Sequence, residues 1–184
     1  SLSICETLSR WRSALHFRAV GGLVAPFGGI LARAPQPGPI SNPENMAPWV
    51  ARRACAHLAT DINLKLMRQM ASWAFASEPG FSTHDGRSNY LAGLKEVTTP
   101  AFFAAGAADG IVIPDSVRAA FDAWGGEASE FRIFGRNHGD SVDYGHGDLL
   151  LGVHARDEVF PRIRDWLLRQ DDPLEGDEGP ATSP

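Results

Sequence analysis

The apolar residues in the second half of the chain change repeatedly between a strand pattern and a helix pattern. Residues Ala101 to Ala105 form a short unbroken apolar run, which is typical of a strand buried on both faces of a parallel sheet. A helical pattern begins at Pro114 and ends at Gly125, and the stretch from Ser129 to Phe134 then alternates as a second strand. This alternation of strands and helices predicts an α/β fold with a parallel sheet.

The last predicted helix follows a loop rich in Gly, His and Asp that runs from Gly135 to Gly147. Its apolar residues recur at helical spacing and predict one buried face. That face consists of Val159, Ile163, Trp166 and Leu167. The acidic residues 170–184, which include Pro and Gly, predict a disordered tail. Residues 91–169 therefore form one predicted structural unit.

The first ninety residues predict helices that are separated by glycine and proline. Leu8 to Val20 fit a short helix, and the residues after it predict a linker that completes the segment 1–41. Residues 42–90 predict a helical cap segment with two helices. The first is expected to be capped by Asn42 and to reach Ala59, and the second to run from Asp61 through Ala76.

The second helix of the cap carries an apolar stripe at spacings of three and four residues. The stripe consists of Leu66, Met67, Met70, Trp73 and Ala74. Such a stripe most often packs against a neighbouring helix, and its functional alternative is an acyl-binding lid. Under that alternative, Met67, Met70 and Trp73 are the candidate substrate-binding residues.

Composition narrows the class of partner. The chain has 184 residues, of which 43% are apolar, enough for one core of ordinary size. Its net charge is −5 and it has no basic run, which argues against nucleic-acid binding and favours a neutral or apolar small molecule. The most apolar early stretch, Gly21 to Ala34, is broken by Pro26 and falls short of the roughly 20 residues that span a membrane.

The two cysteines and the first residues bear on the compartment. Cys5 and Cys55 lack the spacing of a metal site, a redox motif or a disulfide framework, and they favour a reducing compartment such as the cytoplasm. The chain begins with Ser1 and shows no signal peptide, so we expect an upstream region to precede it. No pattern predicts a bound metal or another cofactor.

Two polar residues follow the predicted strands. Asp109 comes after the first strand and His146 after the second, and in an open α/β sheet the carboxyl ends of parallel strands form the site. A hydrolase that attacks through a side chain needs a base for the nucleophile's proton and a carboxylate that orients the base. Asp109 and His146 can fill these roles. The structural alternatives are a turn aspartate that caps its own backbone and a histidine of a surface loop.

Three stretches around these residues resemble the C-terminal end of the α/β-hydrolase family. They are GAADGIVIP from Gly106 to Pro114, DYGHGDLLLG from Asp143 to Gly152, and EVFPRIRDWL from Glu158 to Leu167. In that family a G-x-x-D turn that is followed shortly by a proline supplies the acid of a catalytic triad, and a G-H turn before the last helix supplies its base. The resemblance extends over residues 94–169.

The resemblance implies that Asp109 is the triad acid and His146 the triad base. The closing block is most similar to the branch that contains lipases, esterases and the polyhydroxyalkanoate synthases. The implied fold is the C-terminal part of an α/β-hydrolase sheet, with the segment from Asn42 to Tyr90 in the cap position. The implied activity is hydrolysis of a carboxylic ester or a related acyl substrate, without a cofactor.

The nucleophile of that family is missing from this chain. The family carries it in a G-x-S-x-G elbow, or G-x-C-x-G in the synthases, and neither pattern occurs here. The only glycine pairs four residues apart enclose Ala108 and Asn137, which cannot attack a carbonyl. We therefore expect the chain to be inactive as a triad hydrolase on its own.

Several activities stay open because the nucleophile decides among them. A serine fits an ester hydrolase, a cysteine fits an acyltransferase of the polyhydroxyalkanoate-synthase type, and an aspartate fits the dehalogenase and epoxide-hydrolase reactions. The alternative from another class is a non-catalytic remnant or a binding module. The sequence also leaves the oligomeric state open.

The loop that contains His146 admits two competing interpretations. Several of its residues offer oxygen or nitrogen ligands to a divalent metal. They are His138, Asp140, Asp143, His146 and Asp148. Their spacing matches no established metal motif. His138 also competes as the base, but only His146 directly precedes the final helix, which Asp148 is expected to cap.

Overall fold

The structure of the protein is a computed structural model. In its C-terminal part, helices pack around a small parallel sheet. The structure describes residues 14–15, 18, 23, 25–27, 40–58, 60–75, 81–83 and 85–171. The strands are β1 (Ala14–Leu15), β2 (Ile62–Asn63), β3 (Phe102–Gly106) and β4 (Glu130–Phe134). The α-helices are α1 (Pro48–His57), α2 (Leu64–Ala74), α3 (Tyr90–Gly93), α4 (Pro114–Ala123), α5 (Asp148–Leu151) and α6 (Ala155–Asp171). Short 3-10 turns lie at Ala25–Phe27, Leu94–Glu96 and Arg136–His138.

The predicted strand–helix–strand unit is confirmed. β3 and β4 pair in parallel, in a register that sets Phe102 beside Glu130 and Gly106 beside Phe134. The helix α4 connects them and begins with Pro114, whose missing N–H has no partner to lose in the first helical turn. The described residues therefore have the mixed, parallel character of an α/β arrangement.

The two faces of β3 are covered by different helices, because successive side chains of a strand point to opposite sides. On one face, Phe103 makes edge contacts with Phe121 and Trp124 at the end of α4, with ring centroids 5.7 and 5.6 Å apart. On the other face, Phe102 contacts Trp166 of α6 at 5.8 Å. The sheet is thus enclosed by α4 and α6.

The main core lies between the sheet and α6. Its buried members are Phe134, Val142, Tyr144, Ala155 and Val159. Each large side chain buried in such a core stabilises the fold by about 1.5–3 kcal/mol. Because two of these residues belong to the loop after β4, the core also fixes the path of the loop that contains His146.

The predicted buried face of the last helix is correct at three positions and wrong at the fourth. Val159 and Trp166 are buried, and Ile163 packs against the core. Leu167 is 51% exposed, because it follows Trp166 directly and is rotated by about 100° around the helix. The helix also continues to Asp171, so the first residues of the predicted tail 170–184 are helical, and residues 172–184 lie outside the described part.

The predicted helix from Leu8 to Val20 is not continuous. Ala14–Leu15 form β1, which pairs antiparallel with β2 and sets Ala14 opposite Asn63. Apart from these two residues and Arg18, the predicted helix lies outside the described residues. The same holds for most of the segment 1–41.

Both helices of the predicted cap exist, but their caps were assigned to the wrong residues. The first begins at Pro48, six residues after Asn42, and ends at His57. The second begins at Leu64, and its cap is Asn63, whose side chain accepts a hydrogen bond from the amide of Lys65 at 2.8 Å. Asp61 instead accepts from the backbone amide of Arg18. Several residues near each helix start are of a type that commonly caps helices. The sequence alone did not show which of them caps the helix.

Among the described helices, none is long and apolar enough to cross a membrane. The stretch from Gly21 to Ala34 is described only at Leu23 and at Ala25–Phe27, where a short 3-10 turn forms.

Candidate acid–base site

The turns that follow β3 and β4 bring Asp109 and His146 into direct contact. The Nδ1 atom of His146 lies 2.9 Å from the Oδ2 atom of Asp109. The two residues are 37 positions apart, and the parallel pairing of β3 with β4 carries their loops to the same edge of the sheet. The structure thus places together the two residues that the sequence singled out.

Both oxygens of the Asp109 carboxylate are engaged. Oδ1 accepts hydrogen bonds from the backbone amides of Ile111 at 2.8 Å and Val112 at 2.9 Å, while Oδ2 faces His146. The side chain is only 3% exposed. Asp109 therefore caps its own turn, as the structural alternative required, and holds the imidazole at the same time.

His146 binds Asp109 through one ring nitrogen, and no hydrogen bond within the described residues occupies the other. In the tautomer that satisfies this contact, Nδ1–H donates to Asp109 and the lone pair is on Nε2. The side chain is 48% exposed, so the ring is open to solvent and to a reactant. A buried carboxylate behind a half-exposed imidazole can orient the ring and stabilise its protonated form while Nε2 accepts a proton.

Glycine at position 106 permits the close approach of the two loops. A Cβ atom there would lie within 2.3 Å of the carbonyl oxygen of Tyr144, which leaves no room for a side chain. Two backbone hydrogen bonds hold the loop of Asp109 there: the amide of Ala107 donates to the carbonyl of Phe134 at the end of β4, and the amide of Ala108 donates to the carbonyl of Tyr144 in the loop of His146, at 2.9 and 2.8 Å. The acid loop and the base loop are therefore packed backbone against backbone.

The loop after β4 is also anchored to α6 through Tyr144 and Glu158. The buried Tyr144 hydroxyl donates to Glu158 Oε2 at 2.7 Å, and the amide of Ser141 donates to Glu158 Oε1 at 3.0 Å. Burial, with the hydrogen bond to Glu158 and its charge, raises the pKa of Tyr144 well above its ordinary value. Burial alone would raise the pKa of Glu158, but hydrogen bonds from Ser141 and Tyr144 lower it below its ordinary value. In the sequence, Glu158 stands out only as part of a stretch that resembles a known family, and no pattern predicts that it anchors the loop of His146.

Asp148 does not cap the helix that it precedes in the prediction. It is the first residue of α5, is fully buried, and directs its carboxylate back toward the loop of His146. Oδ1 accepts from the amides of Gly145 at 2.9 Å and Asn42 at 3.1 Å, and Oδ2 accepts from the side chain of Asn45 at 3.0 Å. Asp148 therefore links this loop to Asn42 and Asn45, which lie 106 and 103 residues earlier in the chain.

That earlier segment consists of residues 40–46. The sequence predicts that it contains the end of the linker and the start of the first helix of the cap. Its Asn42 side chain donates to the carbonyl of Asp143 at 2.7 Å, and the carbonyl of Ile40 accepts from the amide of Gly147 at 2.7 Å. No periodicity marks these polar residues, so sequence reasoning had no signal for their contact with the loop of His146. We call residues 40–46 the strap.

The carboxylates that the metal alternative required are engaged by other groups. Asp140 accepts from Arg132 at 3.0 Å and from the amide of Gly135 at 2.7 Å, and Asp143 accepts from the amide of Arg136 at 2.9 Å. In the part of the chain that the structure describes, no group of three or more His, Cys, Asp and Glu residues is arranged to hold a metal ion. The rival base His138 is exposed in the 3-10 turn Arg136–His138.

The candidate substrate-binding residues of α2 take part in local packing. Trp73 donates through its indole nitrogen to the carbonyl of Ser82 at 2.9 Å and makes edge contacts with the rings of Phe81 and Tyr90. Met67 is half-buried and Met70 is 52% exposed. The role of Met67, Met70 and Trp73 in binding an acyl group stays a prediction. The contacts of Trp73 show that this member of the apolar stripe packs against neighbouring residues of the same chain.

Comparison of the chain with protein-family models, with curated proteins and with solved structures found no match. The α/β-hydrolase relationship therefore stays a prediction. It rests on the residues of the three stretches 106–114, 143–152 and 158–167.

Proposed function

We propose that Asp109 and His146 are the acid and the base of a catalytic triad, in the C-terminal portion of an α/β-hydrolase that cleaves a carboxylic ester or a related acyl substrate. The observation that carries the proposal is the contact of His146 Nδ1 with Asp109 Oδ2 at 2.9 Å, with the rest of the imidazole half-exposed. A triad uses this arrangement of a shielded carboxylate, an oriented imidazole and a free Nε2.

In the proposed reaction, His146 Nε2 takes the proton of a nucleophile as that nucleophile attacks the acyl carbonyl. The protonated ring then donates the proton to the leaving group, and the acyl-enzyme is resolved by a water molecule that the same nitrogen activates. Asp109 keeps the ring in the required tautomer and stabilises its positive charge. The nucleophile and the oxyanion hole come from residues outside this sequence, because the chain has no G-x-S-x-G or G-x-C-x-G elbow.

The test is a comparison of two histidine variants in the complete protein that contains this chain. His146→Asn is expected to lower kcat/KM for a p-nitrophenyl ester by a factor of about 10⁴ or more, because the base and acid of every step are lost. His138→Asn is the matched control, since His138 lies in the same loop, and it should leave the rate nearly unchanged. Equal rates for the wild type and His146→Asn would overturn the proposal, and loss confined to His138→Asn would transfer the base role.

A second experiment identifies the nucleophile. The complete protein is treated with a fluorophosphonate, which labels an activated serine, or with iodoacetamide, which labels an activated cysteine, and the labelled peptide is found by mass spectrometry. Serine labelling that is lost in His146→Asn supports the ester hydrolase. His146-dependent cysteine labelling would assign the same pair to an acyltransferase of the polyhydroxyalkanoate-synthase type. A wild type that takes neither label and hydrolyses no ester would overturn the ester-hydrolase proposal and leave an aspartate nucleophile or a non-catalytic module as the alternatives.

A further inference from the structure

Both backbone amides that flank His146 are held by contacts that lead to the strap. The amide of Gly147 donates directly to the carbonyl of Ile40 at 2.7 Å. The amide of Gly145 donates to Asp148 Oδ1 at 2.9 Å, and Asp148 is itself bound by the strap. The position of the His146 backbone therefore depends on residues 40–46.

Asn45 is the residue of the strap that joins these contacts. It is fully buried, and its Nδ2 donates to Asp148 Oδ2 at 3.0 Å while its Oδ1 accepts from the amide of His154 at 3.1 Å. Its backbone carbonyl accepts from the amide of Val153 at 2.8 Å. One residue thus binds the first residue of α5, the short helix that begins two residues after His146, and the two residues 153–154 that lie shortly after its end.

The side-chain amide of Asn45 acts as a hydrogen-bond donor to the buried carboxylate of Asp148. The buried Asp148 carboxylate accepts three hydrogen bonds, and the Asn45 amide supplies the one to Oδ2. If an oxygen replaced Nδ2, two carboxylate oxygens would face each other in a buried site, and Asp148 would have to move away from its partners. Its bond to Gly145 would then weaken, and the imidazole of His146 would lose its fixed position.

We propose that Asn45 is a positioning residue, which acts through Asp148 and Gly145 to hold His146 in line with Asp109. This inference rests on the proposed function and names a residue that does not contact the reactants. Displacement of a catalytic group by about 1 Å can lower a rate by about 100-fold. A substitution at Asn45 that shifts His146 should therefore lower the reaction rate.

The test uses a swap of two side chains in the complete protein. Asn45→Asp removes the donor to Asp148 and keeps an oxygen for the amide of His154. The double variant Asn45→Asp with Asp148→Asn restores the pair in reverse: the amide introduced at position 148 donates to the carboxylate introduced at position 45, and its oxygen accepts from Gly145 and Asn42. Glu44→Gln, in an exposed position of the same strap, is the matched control.

Two readouts separate positioning from stability. The first is kcat and KM for the ester substrate at a temperature where urea unfolding shows each variant to be fully folded. The second is the pair of ring ¹⁵N chemical shifts of His146 at mildly alkaline pH, which distinguishes the tautomer protonated on Nδ1 from the one protonated on Nε2. Asn45→Asp is expected to lower kcat by about tenfold or more, with KM nearly unchanged, and to increase the share of the Nε2-protonated tautomer. The swap should restore both readouts, and Glu44→Gln should match the wild type.

An unchanged kcat and unchanged ring shifts in folded Asn45→Asp would overturn the inference. So would a swap variant that regains the stability of the wild type and not its ring shifts. If Asn45→Asp does not fold, Asn45→Ser, which shortens the side chain without adding charge, is measured in the same way. A wild type without esterase activity would overturn the proposed function alone, because the ring shifts still report whether Asn45 positions His146.

Discussion

The two loops that meet at the candidate site are held in place by different means. The loop after β3 holds Asp109 with its own backbone, because the amides of Ile111 and Val112 both donate to one carboxylate oxygen. The loop after β4 is held by groups from elsewhere in the chain, among them Glu158 of α6 and Ile40 of the strap. The carboxylate of the acid is therefore oriented mainly by its own turn, whereas the position of the base depends in addition on contacts between distant segments.

This difference follows from the lengths of the loops. Asp109 lies three residues beyond the end of β3, where a tight turn leaves the chain little freedom. The loop after β4 runs from Gly135 to Gly147, and a loop of that length needs external anchors to adopt one conformation. Substitutions in the first loop should act at the site itself, whereas substitutions at distant anchors should act on the loop that contains His146.

The largest effect is expected from Asp109→Asn. The amide can still accept from Ile111 and Val112 through its oxygen, but its nitrogen faces His146 Nδ1 and favours the wrong tautomer. The kcat of the complete protein should fall by about 10⁴-fold with little loss of stability. Asp122→Asn, which changes an exposed carboxylate of α4, is the control and should keep the wild-type rate. A drop of less than tenfold in Asp109→Asn would show that Asp109 only caps its turn.

Gly106→Ala should lower the stability of the fold by separating the two loops. The added methyl group would meet the carbonyl oxygen of Tyr144 at 2.3 Å, so the acid loop and the base loop would have to separate. We expect a loss of about 1–3 kcal/mol in the free energy of unfolding, measured with urea. The control is Gly93→Ala, where no atom lies within 4 Å of the new methyl group and the backbone is helical. That variant should be neutral or more stable by up to about 1 kcal/mol.

Tyr144→Phe tests the anchor on α6. It leaves a carboxylate oxygen of Glu158 without its donor and should cost about 1–3 kcal/mol near neutral pH. Because folding lowers the pKa of Glu158, its contribution is present above the pKa of the unfolded chain and is lost as the pH falls through the folded value. Removing the Tyr144 hydroxyl removes part of that lowering, so the variant should lose less stability than the wild type as the pH falls from neutral to below the ordinary pKa of a glutamate.

The matched control for this anchor is Tyr90→Phe, because the side chain of Tyr90 is half-exposed. It should change the unfolding free energy little at either pH. A Tyr144→Phe variant with the pH dependence of the wild type would mean that the amide of Ser141 alone holds Glu158.

The sequence was sufficient for the parts of the fold that depend on local pattern. The apolar run from Ala101 to Ala105 predicted β3 to within one residue at each end, and the proline at position 114 predicted the first residue of α4, because strand burial and helix starts leave periodic or positional signals. The pairing of Asp109 with His146 could also be predicted, since parallel strands carry both residues to one edge.

The supports of His146 could not be predicted, because they involve polar residues without periodicity. Local preference predicts that Asn42 and Asp148 cap helices, since both residue types are common in such positions. In the structure the backbone amide of Asn42 instead donates to the carboxylate of Asp148, 106 residues away along the chain. Local preference could not distinguish a polar residue that caps a helix from one that is buried between two segments.

The smallest effect is expected where the strap meets the loop at the surface. Arg136 and Glu44 form an ion pair at 3.0 Å, but their side chains are 56% and 71% exposed. Solvent and salt screen such a pair, so Arg136→Gln should change the unfolding free energy by less than about 0.5 kcal/mol and leave kcat unchanged. Urea unfolding at low and high salt measures the change. A loss above about 1 kcal/mol at low salt that vanishes at high salt would contradict this. It would mean that the strap is held by surface charge, and the buried hydrogen bonds of Asn45 would then be secondary.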